Sequence, residues 1–505
     1  MAVLTSINYR LALMRLSDKL SLTSPKACEM SAKDIKNIVV LMLENRSFDH
    51  MAGYLRTDSY PIEGLTGTEF QLEDPSNPAS AAVKVNNLAN YTGDLTLDPA
   101  HDTLNVNDQL FGIAIPAPGM LPTNRWFLFN YAHVVGNNVA NAHNIMKCFA
   151  PPKLPALVTL AQEFAVCDHW YSSVPGQTWP NRLFIHAGTS AGFLDNEVRQ
   201  YDMRTIYDNL TEQGLSWNIY FHDIPQSLAL SRLQSAVFKA RFQPFASFKS
   251  DAGNGSLPNY SFIEPRYNDF LFWKANDQHP DHDVSLGEVL IADVYEALRN
   301  SPQWNQSLLV ILWDEHGGIF DHVPPPQGPP YAVNPDGQSS SSPPFDFDRL
   351  GVRVPAVLVS PYIPRGVIDH EIYDHTSVLA TVKEIFDLPA FLTRRDAGAA
   401  TFEGNLSLDQ PRRDAPAAPR AVDATTLAKL KTPMTPATIA EALAAGQASK
   451  GSMSEFQRSL VALADSLGAD SSQSLAVTQQ AHVMKTEHEA AVYTRDAVTR
   501  FLARE

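Results

Sequence analysis

Two pairs of oxygen-bearing side chains stand where short apolar runs stop. Glu44 and Asn45 follow Ile38-Val39-Val40-Leu41-Met42-Leu43, and Asp314 and Glu315 follow Leu309-Val310-Ile311-Leu312-Trp313. Side-chain oxygen is the donor that hard divalent cations select. The second pair runs straight into His316-Gly317-Gly318. Burying two adjacent carboxylates costs several kcal/mol unless a cation or donors compensate, so a metal ion is the economical reading of that pair. Two solvated turn acids are the alternative. For Glu44-Asn45 taken alone, a helix cap or turn explains the pair as well.

A third element is Val174-Pro175-Gly176-Gln177-Thr178-Trp179-Pro180-Asn181-Arg182. Its Thr hydroxyl lies in a tight turn just ahead of a helix expected to begin near Asn181. Helix N-terminal amides can hold a phosphate oxygen there. A metal on the hydroxyl oxygen would lower its pKa and make it a nucleophile. A structural turn threonine is the simpler alternative, and Arg182 suits an ion pair as well as a phosphate. Four histidines adjoin aspartates: His101 before Asp102, His222 before Asp223, His282 between Asp281 and Asp283, and His322 after Asp321. A carboxylate orients one ring nitrogen and leaves the other for phosphate contact or proton transfer. Each suits an ordinary loop histidine by itself; together they suit a phosphate-binding and proton-donating set.

Such residues need a frame that gathers them. Residues 38–43, 164–167, 308–313 and 356–360 are short continuous apolar runs ending in polar chemistry, which suits inner strands of a parallel sheet. Helical spacing over 154–162, 183–187 and 286–300 separates them, predicting an α/β sandwich with ligands at the C-terminal strand ends. Residues 64–101 and 324–344, rich in Pro, Gly, Asn and Ser, read as long surface loops. Composition shifts near Gly404. Residues 1–404 read as one catalytic domain, 405–422 as a linker with prolines at 411–419, and 423–505 as an alanine-rich helical tail. Within the tail, 439–443 and 456–467 have helical spacing, and 475–502 reads as one long amphipathic helix. The tail is either an appendage packed on the main domain or a lid controlling access.

The formal net charge of −16 repels phosphate backbones, which excludes nucleic acid as a partner class. Three cysteines, Cys28, Cys148 and Cys167, supply no disulfide framework and read as buried thiols. The start Met1-Ala2-Val3-Leu4-Thr5 lacks a basic, apolar secretory pattern, and no apolar run approaches the roughly 20 residues that span a bilayer. The expectation is a soluble chain, cytoplasmic or exported without an evident signal peptide.

The stretches Leu43 to His50, Thr178 to Arg182 and Asp314 to Val323 resemble the bacterial phosphoesterase family, which holds phosphatidylcholine-type and plant non-specific phospholipases C and a group of acid phosphatases. The resemblance runs from Asp34 to Pro389, with the motif blocks in the family's order. It implies an alkaline-phosphatase-like α/β/α sandwich. It makes Thr178 the nucleophile, and makes Glu44, Asn45, Asp314, Glu315 and the Thr178 oxygen the metal ligands. His101, His222 and His282 then contact the phosphate or protonate the leaving group. The family's acid phosphatases use Ser where this chain has Thr178, so the expected activity is a phospholipase C acting on phosphatidylcholine-like lipid, with transient contact at a membrane surface. An acid phosphatase acting on phosphomonoesters is the alternative. The all-oxygen ligand set favours Ca²⁺ over Mg²⁺, Mn²⁺ or Zn²⁺. No Cys or Ser stands in a Cys/Ser-x-Pro-x-Arg arrangement, which disfavours a sulfatase. A catalytically silent lipid-binding protein would have no need of the full set of five metal-site residues.

Overall fold

The computed structural model describes residues 34–95, 97–271, 273–419, 437, 440, 452–468, 484 and 486–504. Cys28, the 439–443 spacing apart from Ala440, the linker beyond residue 419 and the expected start of the last helix at Leu475 lie outside them.

Among the described residues ten strands form two sheets: β1 (Asn37–Leu43), β2 (Phe70–Leu72), β3 (Ala82–Lys84), β4 (Ala165–Cys167), β5 (Trp217–Phe221), β6 (Phe242–Pro244), β7 (Tyr260–Glu264), β8 (Ser307–Trp313), β9 (Ala356–Val359) and β10 (Val367–Asp369). The large sheet has the order β10-β4-β9-β8-β1-β7-β5-β6; β2 and β3 pair separately. Every residue of β1 and of β8 is buried. Because successive strand side chains point to opposite faces, both faces of the sheet are covered, and this is why the two strands read as unbroken apolar runs. The expected α/β sandwich with a mostly parallel sheet is therefore observed. One strand departs from it: β9 runs antiparallel to both β4 and β8. An antiparallel neighbour needs no crossover helix, and residues 314–355 connect β8 to β9 without an α-helix or strand. The expected loop 64–101 likewise contains the β2–β3 pair.

The helices that frame the site are α1 (Thr103–Phe111), α2 (Pro155–Glu163), α3 (Thr178–Ala187), α4 (Val284–Arg299), α5 (Thr376–Phe386), α6 (Glu455–Gly468) and α7 (Glu487–Leu502). Helix α2 packs on α4, and α3 on α5. Leu460, Leu463 and Ala464 of α6 and Val498 of α7 belong to the same hydrophobic cluster as the sheet. No helix among the described residues is long and apolar enough to cross a membrane. Cys148 and Cys167 are buried free thiols.

Candidate active site

Strands β1 and β8 are parallel neighbours with Leu43 paired to Trp313, so Glu44 and Asp314 leave the sheet edge side by side. Hydrogen bonds hold the two turns together. The Asn45 amide donates to Asp314 Oδ1 at 2.9 Å, and the Arg46 amide donates to the Glu315 carbonyl at 3.0 Å. Asn45 is left-handed, with φ 56°. Gly317, also left-handed, is required by close approach: a Cβ there would lie 2.4 Å from the Asn45 carbonyl oxygen. Glu44, Asn45, Asp314 and Glu315 are all fully buried.

The third segment is locked by one side chain. Asn181 Oδ1 accepts from the Val174 amide, and its Nδ2 donates to the carbonyls of Val174, Gly176 and Gln177 at 3.0–3.2 Å. The helix starts at Thr178 rather than near Asn181. Pro180 falls in its first turn, where a missing N–H breaks no helical bond. The buried Thr178 hydroxyl donates to Asn45 Oδ1 at 3.3 Å. One turn on, Arg182 Nε donates to Asp314 Oδ2 at 3.0 Å and Nη2 to the Leu43 carbonyl at 3.1 Å. Burial works against the Arg182 charge, but Tyr267, Asp314 and Glu44 hold it firmly protonated.

The histidines divide. His101 Nδ1 hydrogen-bonds with the Pro99 carbonyl at 2.7 Å, and its Nε2 lies 3.8 Å from Glu315 Oε1. Burial opposes its charge, yet Glu315 and Asp98 raise its pKa to about 9. His282 Nδ1 pairs with Asp277 Oδ1 at 2.7 Å. It too is raised well above the ordinary value, against burial, by Asp277 and Asp281. Asp277 in turn accepts the Glu44 amide on its carbonyl at 2.9 Å, which ties His282 to the β1 end. His222 is placed elsewhere. Its Nδ1 meets the Glu264 carbonyl at 3.0 Å and its ring stacks on Phe245 at 4.3 Å. It follows β5, two strands from β1, or about 10 Å at ordinary strand spacing. His322 pairs with Asp49 at 2.7 Å in a separate cluster.

The metal reading can be tested on the donor atoms. Both Glu44 carboxylate oxygens and Glu315 Oε1 are buried without a hydrogen-bond partner. Burial, then Asp277 and Asp314, push the Glu44 pKa well above the ordinary value, with Arg182 opposing. Burial likewise raises Asp314 to about 6, again against Arg182. The Glu44 carboxylate has no direct positive partner, and a cation held by oxygen is the group that fits beside it. Asp314 is the least available donor, since Oδ1 accepts two backbone amides and Oδ2 faces Arg182. Tighter His/carboxylate groups occur at His279-Asp281-His282, at Asp168-His169-His370 and at Asp49-Asp321-His322.

Several participants were not singled out from the sequence. Asp277 and Asp98 belong to His/Asp-dense stretches and could have been paired with His282 and His101 on that signal. His375, whose Nε2 meets the Asp314 carbonyl at 2.6 Å, follows Asp374 in a stretch that resembles a family block and could have been found on that signal. The start of α6 had no such signal: Gln177 donates to Glu455 at 2.8 Å, Trp179 to Ser459 at 2.6 Å, and Gln457 Nε2 lies 3.4 Å from His282 Nε2.

Residues 35–389 match the Phosphoesterase family. Non-specific phospholipase C6 of Arabidopsis thaliana is 39% identical over 486 residues, covering 93% of this chain and 87% of the relative. Non-specific phospholipase C3 of the same plant is 41% identical over 405 residues, 76% of each chain. Phospholipase C B of Mycobacterium tuberculosis is 28% identical over 443 residues, 76% of this chain and 80% of the relative. Among solved structures, an alkaline phosphatase superfamily protein from Vibrio parahaemolyticus aligns with 50% of this chain and 66% of its own, at 12% identity and a TM-score of 0.32.

Proposed function

Because this chain belongs to the Phosphoesterase family and is a phosphoric ester hydrolase, we propose that it is a phospholipase C cleaving the glycerol-side phosphodiester of phosphatidylcholine-like lipids. The observation that carries the proposal is the buried Thr178 hydroxyl on Asn45, beside a Glu44 carboxylate whose oxygens have no partner. Glu44, Asn45, Asp314, Glu315 and Thr178 are the residues that would hold a divalent cation, by preference Ca²⁺. Bound there, it would acidify the Thr178 hydroxyl and neutralise phosphate charge.

Thr178 Oγ1, its proton already lost to solvent, attacks phosphorus as the bond to the diacylglycerol oxygen breaks. His101 or His282 gives that oxygen its proton, and both are biased toward the protonated form by carboxylates. The resulting Thr178–phosphocholine diester is opened by water, whose proton returns to the same histidine, releasing the phosphorylated head group as the bond from phosphorus to Thr178 Oγ1 breaks. Arg182 supplies fixed positive charge behind the site and orients Asp314. His222, on Phe245, has no step in this scheme. The proposal extends to the tail: residues 423–505 form a unit joined to the 1–404 domain through 405–422, and its helices α6 and α7 act as a cover. The contacts of Glu455, Gln457 and Ser459 with Gln177, His282 and Trp179 support that reading.

Parallel assays on phosphatidylcholine and an aryl phosphate test the substrate class, with mass spectrometry of quenched enzyme testing the intermediate. Diacylglycerol release with phosphocholine on the Thr178 peptide is expected. Turnover of the monoester alone would replace the proposal with an acid phosphatase. Stoichiometric zinc in the purified protein would overturn the calcium preference.

A further inference from the structure

The helix that leads away from His101 ends in a surface loop whose composition is unlike the rest of this acidic chain. Residues 112–124, Gly-Ile-Ala-Ile-Pro-Ala-Pro-Gly-Met-Leu-Pro-Thr-Asn, hold no charged side chain, while the whole protein carries −16. Their large apolar side chains face solvent: Ile113 is 48% exposed, Ile115 63%, Met120 38% and Leu121 73%. Isolated exposed apolar residues are ordinary, but four in one loop are not.

This is a built loop. Thr123 donates to the Leu110 carbonyl through both its amide, at 2.7 Å, and its hydroxyl, at 3.1 Å, closing the ends. Asn107 Nδ2 donates to the Ala114 carbonyl at 2.8 Å, and Gln327 Nε2 to the Met120 carbonyl at 3.1 Å. Left-handed Gly112 packs so closely on Trp126 that a Cβ would come within 2.2 Å of the indole. The backbone is thus held by polar contacts and three prolines while the apolar side chains are turned outward. Nothing in the loop's own packing needs them there.

The loop is also tied to the site. Helix α1 is capped by Asp102, the residue after His101, so loop and His101 stand at opposite ends of a nine-residue helix, about 14 Å apart. Gln109 fixes that helix to the site edge, donating to the Ala100 carbonyl at 2.7 Å and meeting His316 at 3.0 Å. Leu97 and Leu104, on either side of His101 in the chain, are 51% and 39% exposed. At the loop's foot Arg125 is exposed.

We propose that loop 112–124 docks the enzyme on a zwitterionic phospholipid surface, inserting Ile113, Ile115, Met120 and Leu121 beside the lipid to be cleaved. The inference rests on the phospholipid reading of the Thr178 site. Charge selects the occupant. A strongly acidic protein is repelled by an anionic bilayer, whereas an uncharged apolar loop with one exposed cation at its base matches hydrocarbon below phosphate.

The test compares the wild-type full chain with Ile115→Asp/Leu121→Asp and with the milder Ile115→Ser/Leu121→Ser. Three readouts are taken: co-sedimentation with phosphatidylcholine vesicles, hydrolysis of vesicle phosphatidylcholine, and hydrolysis of soluble p-nitrophenyl phosphorylcholine. Both variants should lose vesicle partition by at least about tenfold, as expected for removing two inserted side chains. Vesicle hydrolysis should fall in step, with turnover of the soluble diester unchanged. Partition equal to wild type in both variants would overturn the inference. So would variants that only turn a dimer into a monomer, which would assign the loop to a second copy of the chain. Wild-type partition lost in the variants, with neither substrate cleaved by any form, would leave the docking surface standing and sink the phospholipase reading instead.

Discussion

Two buried acidic clusters lie at the C-terminal edge of the sheet, and they are finished differently. In one, Asp49 and Asp321 are met by Arg353 at 3.0 and 2.9 Å, and His322 joins Asp49 at 2.7 Å. Further Asp49 and Asp321 oxygens accept the His322, Asp49 and Val323 amides. In the other, Arg182 pairs with Asp314 and His101 and His316 stand beside Glu315, while both Glu44 oxygens and Glu315 Oε1 are left without a hydrogen bond. The first cluster spends its polar atoms on the fold. The second withholds them, at a cost in stability that the proposed cation and phosphate would offset.

The comparison can be broken at four points. The largest effect is expected at Thr178, where Thr178→Ala should lower kcat by at least roughly 10³-fold with an unchanged far-UV circular dichroism spectrum. Near-normal turnover would remove the nucleophile from the unfinished cluster. Next is the finished cluster, where Arg353→Met removes the guanidinium shared by Asp49 and Asp321 and should cost about 3–5 kcal/mol in denaturant unfolding. A loss below about 1 kcal/mol would mean that the cluster does not hold the fold together.

The third point is Glu44. With chelator present, Glu44→Gln should be as stable as wild type or more stable by up to about 2 kcal/mol, because a buried, unpartnered carboxylate is gone. The same variant should show no calcium-dependent rise in Tm, where wild type does. A large loss of stability in chelator would show that Glu44 has a structural partner after all. The smallest effect is the pH response of His322. Burial opposes its charge, but Asp49 raises its pKa to about 9, above the ordinary value of 6.5. A raised folded-state pKa means that this stabilisation is complete below about pH 6.5 and is lost as pH rises through about 9. Thermal scans should show that loss, on the order of 1–2 kcal/mol, in wild type, and His322→Gln should flatten it. Parallel curves for the two proteins would refute the pairing's contribution.

The four strands read from the sequence are those whose apolar runs are unbroken, because both their faces are covered. The missed strands carry interruptions. Strand β7 is entirely buried yet includes Ser261 and Glu264, and Glu264 is acceptable there only because Gln226, Ser227 and Tyr267 donate to it. No local pattern announces those donors. The start of α3 was missed for a related reason. Pro180 reads as a breaker, but in a first turn it is neutral, and the turn before it is stabilised by Asn181.

What the sequence by itself determined is the chemistry and the family: oxygen donors at strand ends, a threonine in a Pro/Gly turn, histidines beside aspartates, all in family order. Those are local facts, set by residue type and spacing. Only the tertiary structure decided which of them meet. The Leu43–Trp313 register sets Glu44 beside Asp314. Strand order carries His222 away, and Asp277 rather than a sequence neighbour receives His282. Whether a buried carboxylate is finished by an arginine or left open depends on partners hundreds of residues away, and separations of that kind are closed only by the packed sheet.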